Sequence, residues 1–225
     1  MNRAEIKSLA KQQIKGKIGI LFVIALIICA ITTVASSIFG PYAGPVIATI
    51  IITPAFMLSQ IRIFQNLAKG NAPKVSDAFG GFDDFWSAFK VNFLVGLFTY
   101  LWTLLFIIPG IIKGFSYSMA MFILAENKGM GAREAINRSK AMMHGHKMDM
   151  FVLELSFIGW MLLGMVTFGI AYIWIIPYMS ATYINFYNKI KGVEATATEA
   201  AATEAAPEAL PAENNETVEN NETAE

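Results

Sequence analysis

Apolar residues gather into six long segments over the first 190 positions, with polar stretches between them. The segments cover residues 18–38, 46–64, 91–108, 111–125, 151–168 and 170–187. Their lengths suit helices that cross a bilayer, although the shorter ones need flanking residues to reach the roughly 20 that a crossing requires. None shows the alternating pattern of a barrel strand. Because unpaired backbone groups are very costly in hydrocarbon, each segment is predicted to be a helix.

The connections between the segments are of two kinds. Those at residues 39–45, 109–110 and 167–169 are short and carry no charge, whereas residues 66–90 and 126–149 form long connections rich in Lys and Arg. Short connections join antiparallel neighbours. The pattern therefore predicts an all-α fold, a polytopic transmembrane helical bundle of about six spans arranged as three hairpins, with interfacial amphipathic helices.

The basic residues set the orientation of this bundle. With six spans, the N-terminal Lys and Arg residues, both long connections, and Lys189 with Lys191 all fall on one side of the membrane. Lys113 is the one basic residue near the opposite face. Because Lys and Arg accumulate on the cytoplasmic side, the sequence predicts a multi-pass protein of the cell (plasma) membrane with both termini cytoplasmic. The six-span membrane domain is expected to cover residues 18–190.

Residues 1–17 have the pattern of a basic amphipathic helix. One row of positions spaced by four is apolar and consists of Ile6, Ala10, Ile14 and Ile18. The adjacent row is basic and consists of Arg3, Lys7, Lys11 and Lys15. The segment is predicted to lie along the inner leaflet, where this row and Lys17 contact anionic lipids, each cation contributing about 1 kcal/mol. Residues 132–143 show the same arrangement.

A weak internal repeat supports this plan. Gly16 and residues 22–26 match Gly145 and residues 151–155 at an offset of 129 positions, and in both places a basic amphipathic stretch leads into an apolar segment. A second unit, formed by residues 75–90 leading into Val91, fits less well. The returning arm of each hairpin also contains an isoleucine two positions before a proline, at Ile52-Thr53-Pro54, Ile107-Ile108-Pro109 and Ile175-Ile176-Pro177.

These prolines have different expected effects. Pro109 is predicted to lie in the first turn of its helix, where a missing N–H costs nothing. Pro54 and Pro177 lie deeper in their segments and are candidate helix kinks, because each frees a carbonyl group. Structural bends and the hinges of a moving transporter both remain open as interpretations.

Ionisable groups within apolar segments are candidates for function, and here they are Arg62, Lys113 and Glu154, with Gln60 as a polar neighbour. Arg62 and Glu154 both fall near the cytoplasmic interface, so they could pair with each other or extend separately into the headgroups. A structural role and a solute or proton path are the alternatives.

Composition and charge exclude several other functions. The chain is 55% hydrophobic and 15% charged, which is too few charged residues to cover a soluble domain of this size. Cys29 is the single cysteine and lies in an apolar segment, so an intramolecular disulfide and cysteine-based redox or metal motifs are excluded. His144 and His146 lack accompanying ligands. No motif for a cofactor, metal or catalytic nucleophile occurs, and no enzyme is expected.

The C-terminal residues differ from the rest in charge. Residues 194–225 hold nine Glu and no Lys or Arg, which leaves 17 basic against 8 acidic residues in positions 1–193, a net charge of +9. Residues 193–225 are predicted to form a disordered acidic tail, since they contain almost no bulky apolar residue. The tail is either simply solvated or a regulatory segment that contacts the basic inner face.

Several stretches together are similar to a known family. They are residues 107–113, residues 117–120, residues 135–145 with Ser139-Lys140, residues 155–160, and residues 174–178 ahead of Phe186-Tyr187. Over residues 1–190 the chain resembles the uncharacterised bacterial integral membrane family called domain of unknown function nine-seven-five. That family is similar in layout to the membrane domain of some glycerophosphodiester phosphodiesterases, whose catalytic domain has no counterpart here. The resemblance implies a multi-pass plasma-membrane protein, most often Gram-positive, and supplies no catalytic residues.

The sequence favours a lipid- or protein-interacting component of the cell envelope, because few charges lie where a solute path would need them. A small-solute transporter or permease is the alternative. The expected partners are anionic lipids of the inner leaflet and a protein partner or a second copy of the chain. Nucleic acid is not expected as a partner.

Overall fold

The computed structural model describes residues 3–38 and 40–204, and every regular element within those ranges is helical. The α-helices are α1 (Arg3–Ile14), α2 (Ile18–Ile38), α3 (Gly40–Ile47), α4 (Thr53–Ala68), α5 (Phe85–Leu105), α6 (Ile107–Tyr117), α7 (Ala120–Glu126), α8 (Ala132–Met142), α9 (Lys147–Val166) and α10 (Tyr172–Glu204). A π-helical stretch, Ala48–Ile52, joins α3 to α4, and two 3₁₀ stretches, Val75–Phe79 and Phe82–Asp84, precede α5.

Within the described ranges, five helical stretches are long and apolar enough to cross a membrane. They are Ile18–Ile38, Tyr42–Ala68, Val75–Leu105, Ile107–Glu126 and Lys147–Val166. These stretches correspond to the first five predicted segments. The sixth, residues 170–187, forms the start of α10 and is not among them, because its apolar residues are interrupted by Tyr, Thr and Asn.

The connection between the third and fourth predicted segments lies earlier than expected. Phe106 alone is extended, with φ −155° and ψ 128°, and α6 begins at Ile107. Pro109 therefore lies in the first turn of α6, as predicted, but the turn itself is at Phe106 and not at Pro109-Gly110. A β-carbon on Gly110 would come within 2.6 Å of the Cα atom of Thr103, so glycine here permits close packing of α6 on α5.

The helix α10 extends further than expected. It continues to Glu204, past Val193, where the predicted disordered tail begins. Ala and Glu, which are abundant in residues 194–204, have high helix propensity, so the composition that prevents a packed core still permits a helix. The rest of the predicted tail, residues 205–225, lies outside the described residues.

Burial divides the molecule into a packed base and an exposed apolar part. The base consists of α1, α4, residues 75–84 with their two 3₁₀ stretches, α7, α8 and residues 178–190 of α10, which together supply most of the buried side chains. The outgoing helices α2, α5 and α9 lead away from it, and their buried residues lie towards the inner ends, apart from Gly164 near the far end of α9. Beyond the base, Tyr42, Phe106 and Phe168 near the far turns are 91%, 63% and 97% exposed. Most of the large exposed side chains in this part are apolar.

The structure confirms the internal repeat. Gly16 and Gly145 both have positive φ, +76° and +84°, and each ends a base helix immediately before an outgoing helix. The helices α1 and α8 begin 129 positions apart, as do α2 and α9. Each base helix buries one row of side chains at matching positions, which are Ile6, Ala10 and Ile14 in α1 and Ala135, Ser139 and Met143 in and just after α8.

The second unit follows the same plan with a different base element. The two 3₁₀ stretches replace the base helix, and α5 then leads outward. Equivalent buried positions on the three outgoing helices are Ile24, Val91 and Leu153. The next residue in each case is Ala25, Asn92 and Glu154. A base element followed by an outgoing helix thus occurs three times. The residue after the equivalent buried position is apolar in the first unit, a neutral amide in the second and a carboxylate in the third.

We call α4, α7 and α10, which lead back to the base, the returning helices. The base element of each unit packs on the returning helix of another unit. The helix α1 packs on α10, the stretch Val75–Phe79 packs on α4, and α8 packs on α7. This arrangement closes a ring, because the first unit is held by the last. Contacts between distant parts of the chain therefore determine the shape of the base.

Candidate functional site

Arg62 lies where three segments of the base meet, and its side chain is only 12% exposed. Its guanidinium group pairs with the carboxylate of Asp84 and donates a hydrogen bond to the carbonyl oxygen of Gly80. Its Nε atom donates to the carbonyl oxygen of Ala125 at 3.3 Å. The second carboxylate oxygen of Asp84 accepts the N–H of Gly129 at 3.3 Å. The ion pair thereby ties α4 to both long connections.

The partner of Arg62 differs from the one considered in the sequence. Pairing with Glu154 and separate extension into the headgroups are the two alternatives that the sequence leaves open for Arg62, and the structure instead pairs Arg62 with Asp84. A carboxylate in a long polar connection is usually solvated, so sequence reasoning gave Asp84 no role. The sequence does contain a sign that this stretch packs on another part of the protein. Gly80-Gly81 followed by Phe82 is typical of a place where backbone approaches closely, within an otherwise polar stretch.

Gly81 allows the stretch that contains Asp84 to lie directly on α4. A β-carbon at this position would be 2.0 Å from the carbonyl oxygen of Ala55 and 2.7 Å from the Oγ atom of Ser59. The N–H of Gly81 donates to the Oγ atom of Ser59 at 2.7 Å. The ring of Phe82 packs edge-on against Phe56, with centroids 5.1 Å apart. This contact brings Asp84 within reach of Arg62.

A reciprocal amide pair joins α1 to α10. The Nε2 atom of Gln13 donates to the Oδ1 atom of Asn185 at 3.0 Å, and the Nδ2 atom of Asn185 donates to the Oε1 atom of Gln13 at 3.0 Å. Asn185 also donates to the carbonyl oxygen of Ile6 at 3.4 Å. Near the start of α1, Lys189 and Glu5 form an ion pair at 2.7 Å. These bonds connect the first and last parts of the described chain.

We expect Gln13→Ala and Asn185→Ala each to destabilise the protein by about 1–3 kcal/mol, because each leaves a poorly solvated amide without its partner. The double variant should cost clearly less than the sum of the two. Thermal unfolding of the detergent-solubilised protein measures all three. Gln12→Ala, at an exposed neighbouring position, is the control and should have little effect. Strictly additive losses would show that the two amides do not act as a pair.

The apolar row of α1 packs into the base. Ile6, Ala10 and Ile14 are 1%, 0% and 6% exposed. The face that the sequence assigned to the lipid surface is therefore covered by protein, because α10 offers a complementary apolar surface. Of the predicted lipid contacts, Arg3 and Lys15 are exposed and Lys17 is partly buried.

The remaining two cations of that row stand over aromatic rings. The Nζ atom of Lys7 is 4.4 Å from the ring centroid of Phe157, and that of Lys11 is 5.7 Å from the ring centroid of Tyr178. Burial, and to a lesser extent the neighbouring charge of Lys11, lowers the pKa of Lys7 below its usual value. Such cation–ring contacts hold the basic row close to the body of the protein.

The other predicted intramembrane groups lie apart from Arg62. The Nζ atom of Lys113 is 4.9 Å from the ring centroid of Trp102. Gln60 lines a cavity of about 200 Å³ between α2, α4 and α10, together with Ser180. Glu154 lines a separate cavity beside α9. The structure does not bring these predicted residues into one cluster.

The two candidate kinks occupy different positions in their helices. Pro54 is buried and follows the π-helical stretch Ala48–Ile52, near the start of α4. Pro177 lies inside α10 and lines the same cavity as Gln60.

Across residues 3–38 and 40–204, no three His, Cys, Asp or Glu side chains lie close enough to hold a metal ion. His146 instead has its Nδ1 atom 3.4 Å from a carboxylate oxygen of Asp149.

Comparison with known proteins gives one family. Residues 1–113 and 104–194 match the family described as Protein of unknown function (DUF975), so the match extends over almost the whole part of the chain that contains apolar segments. No curated protein and no solved structure matches the chain. The chain belongs to the DUF975 family of proteins of unknown function.

Proposed function

We propose that this protein is a plasma-membrane protein whose outgoing and returning helices form six spans in three hairpins, with the charged residues of the base on the cytoplasmic side. The observation that carries this proposal is the exposed apolar part. Residues 18–61, 91–112 and 155–188 contain no charged residue, and many of their large side chains are exposed. A surface of that extent is not stable in water, whereas hydrocarbon solvates it without cost.

The sixth span is supported by the position of α10 in the fold. Ile175 and Tyr178 are buried against neighbouring helices, so this segment needs less apolar surface than a span surrounded by lipid. An even number of crossings also returns the chain to the base, where residues 178–190 pack on α1. The cations of the base then lie together on the cytoplasmic side, as the positive-inside rule requires.

We propose further that the protein acts as a lipid- or protein-interacting component of the envelope and not as an enzyme. Arg3, Lys11 and Lys15 are exposed at the surface of the base and suit the anionic inner leaflet. This role is tested by replacing Arg3, Lys11, Lys15 and Lys17 with Gln and measuring how much anionic lipid copurifies with each mole of protein.

The expected result is a marked loss of bound anionic lipid, steepest at low salt, because each cation near an anionic surface contributes about 1 kcal/mol. Lys→Arg replacements at the same lysines preserve the charge and should retain the lipid. Equal lipid content in the Gln variant and the unaltered protein would rule out this role for α1.

A permease is the second candidate, and one observation favours it. The cavity that contains Gln60 adjoins a smaller one of about 150 Å³, and both are lined by Gln60, Phe64 and Ser180. The polar side chains of Gln60 and Ser180 could line a path between α4 and α10. Flux of ions and small solutes through proteoliposomes that is lost in Gln60→Ala would favour transport. Retention of a stable partner without any flux favours the interaction role.

A further inference from the structure

A cavity of about 490 Å³ lies between α6, α9 and the middle of α10. Its apolar walls include Ile111 and Phe115 from α6 and Leu155 and Ile158 from α9. Leu155 and Ile158 are both nearly half exposed, so the cavity opens on the outer surface of the helices. A volume of this size is typical of small-molecule sites in proteins.

Glu154 lines this cavity and is partly buried. Within the described residues, its carboxylate has no hydrogen-bond or ion-pair partner. By contrast, Glu126 accepts a hydrogen bond from Tyr187 at 2.8 Å and pairs with Lys191 at 2.5 Å. An unpaired carboxylate against apolar walls is unfavourable in its charged form, so it either takes up a proton or is stabilised by a cation. An ionisable group at such a position is a candidate for function.

The lining of the cavity restricts the class of cation. The lining contains a carboxylic acid but no Lys, Arg or His, so it offers no cationic group to pair with a phosphate. Zwitterionic phospholipid headgroups are therefore poorly matched. Phe115 and Phe151 pack edge-to-face with centroids 5.9 Å apart, and Tyr183 also lines the cavity. Aromatic rings attract cations, particularly weakly hydrated ones.

We propose that this cavity binds a lipophilic cation, a molecule with one positive charge on an apolar body. Glu154 is the counter-ion, and the aromatic and aliphatic walls contact the apolar body. The site rests on the membrane placement described under Proposed function, but it is independent of the lipid contacts of α1.

The internal repeat provides a matched control. Ala25 and Asn92 occupy the positions equivalent to Glu154, and each lines a cavity beside its own outgoing helix, of about 200 and 300 Å³. Neither carries a charge. These cavities share the apolar character of the site but lack its counter-ion, so they should not bind a cation specifically.

The test uses the full chain in nanodiscs with radiolabelled tetraphenylphosphonium, after subtraction of empty nanodiscs. The unaltered protein should bind this cation saturably, and Glu154→Gln should weaken binding at least about tenfold, as loss of a charged partner implies. Ile158→Trp, which fills the cavity but keeps the carboxylate, should cause a similar loss. Asn92→Ala should bind normally.

Equal binding by the unaltered protein and Glu154→Gln would overturn the site, as would the absence of saturable binding. Unfolding temperatures of the variants show whether any loss comes from misfolding, and Ile158→Trp and Glu154→Gln affect folding through different contacts. A protein that inserts into nanodiscs but binds no cation contradicts this site alone. A protein that remains in solution without detergent contradicts the membrane placement itself.

Discussion

Replacing Arg62 with Ala is expected to destabilise the protein by about 3–5 kcal/mol, the usual cost of removing one partner from a buried ion pair. The loss is large because Asp84 remains with only 14% of its side chain exposed and without its cation. The carbonyl groups of Gly80 and Ala125 lose a donor at the same time. Denaturant titration in mixed micelles, followed by tryptophan fluorescence, measures the change.

The control for this variant is Arg138→Ala. Arg138 also forms an ion pair, with Glu134 at 2.8 Å, but its side chain is 55% exposed. We expect its removal to cost less than about 1 kcal/mol, as for other surface pairs. If Arg62→Ala and Arg138→Ala cost the same, Arg62 does not hold the base together.

Gly81→Ala is expected to be the second most damaging change, although it adds only one methyl group. The new β-carbon would overlap the carbonyl oxygen of Ala55, an atom of the α4 backbone that cannot move aside. The stretch that carries Asp84 must then shift away from α4 and weaken the pair with Arg62. We expect a loss of about 1–3 kcal/mol from overpacking, or more if the ion pair is also broken.

Gly159→Ala is the matched control, because no atom lies within 4 Å of a β-carbon at that position. Alanine is the better helix former, so this variant should unfold at the same temperature as the unaltered protein or slightly higher. Cysteine crosslinking between the stretch 80–84 and α4 provides a second readout. Unchanged crosslinking and stability in Gly81→Ala would show that the stretch does not depend on glycine there.

The helices and the repeat could be predicted from the sequence because both depend on local patterns. Apolar runs identified five of the candidate spans, since hydrocarbon selects for length and composition alone. The repeat was visible because glycine with positive φ ends each base helix, as at Gly16 and Gly145. The ends of the helices were less predictable. The turn at Phe106 contains no proline or glycine. The sequence pattern therefore placed the turn at the nearby Pro109-Gly110 pair instead.

The contacts within the base could not be predicted in the same way, because they join residues far apart in the chain. Nothing in the local pattern distinguishes Asp84 from the solvated Asp83 beside it, yet Asp84 alone pairs with Arg62. Likewise, an amphipathic helix has the same pattern whether it packs on lipid or on protein. The apolar face of α1 was therefore identified correctly while its partner, α10, was not.

The placement of the charged base on one side of a membrane is tested most directly by cysteine labelling. With Cys29 replaced by Ala, single cysteines are introduced at Asp83 and Arg138 in the base and at Tyr42 and Phe168 near the far turns. Intact cells are then treated with a maleimide that does not cross membranes. Labelling at 42 and 168 in intact cells, and at 83 and 138 only after permeabilisation, is the expected result. Labelling of 83 and 138 on opposite sides of the membrane would contradict it.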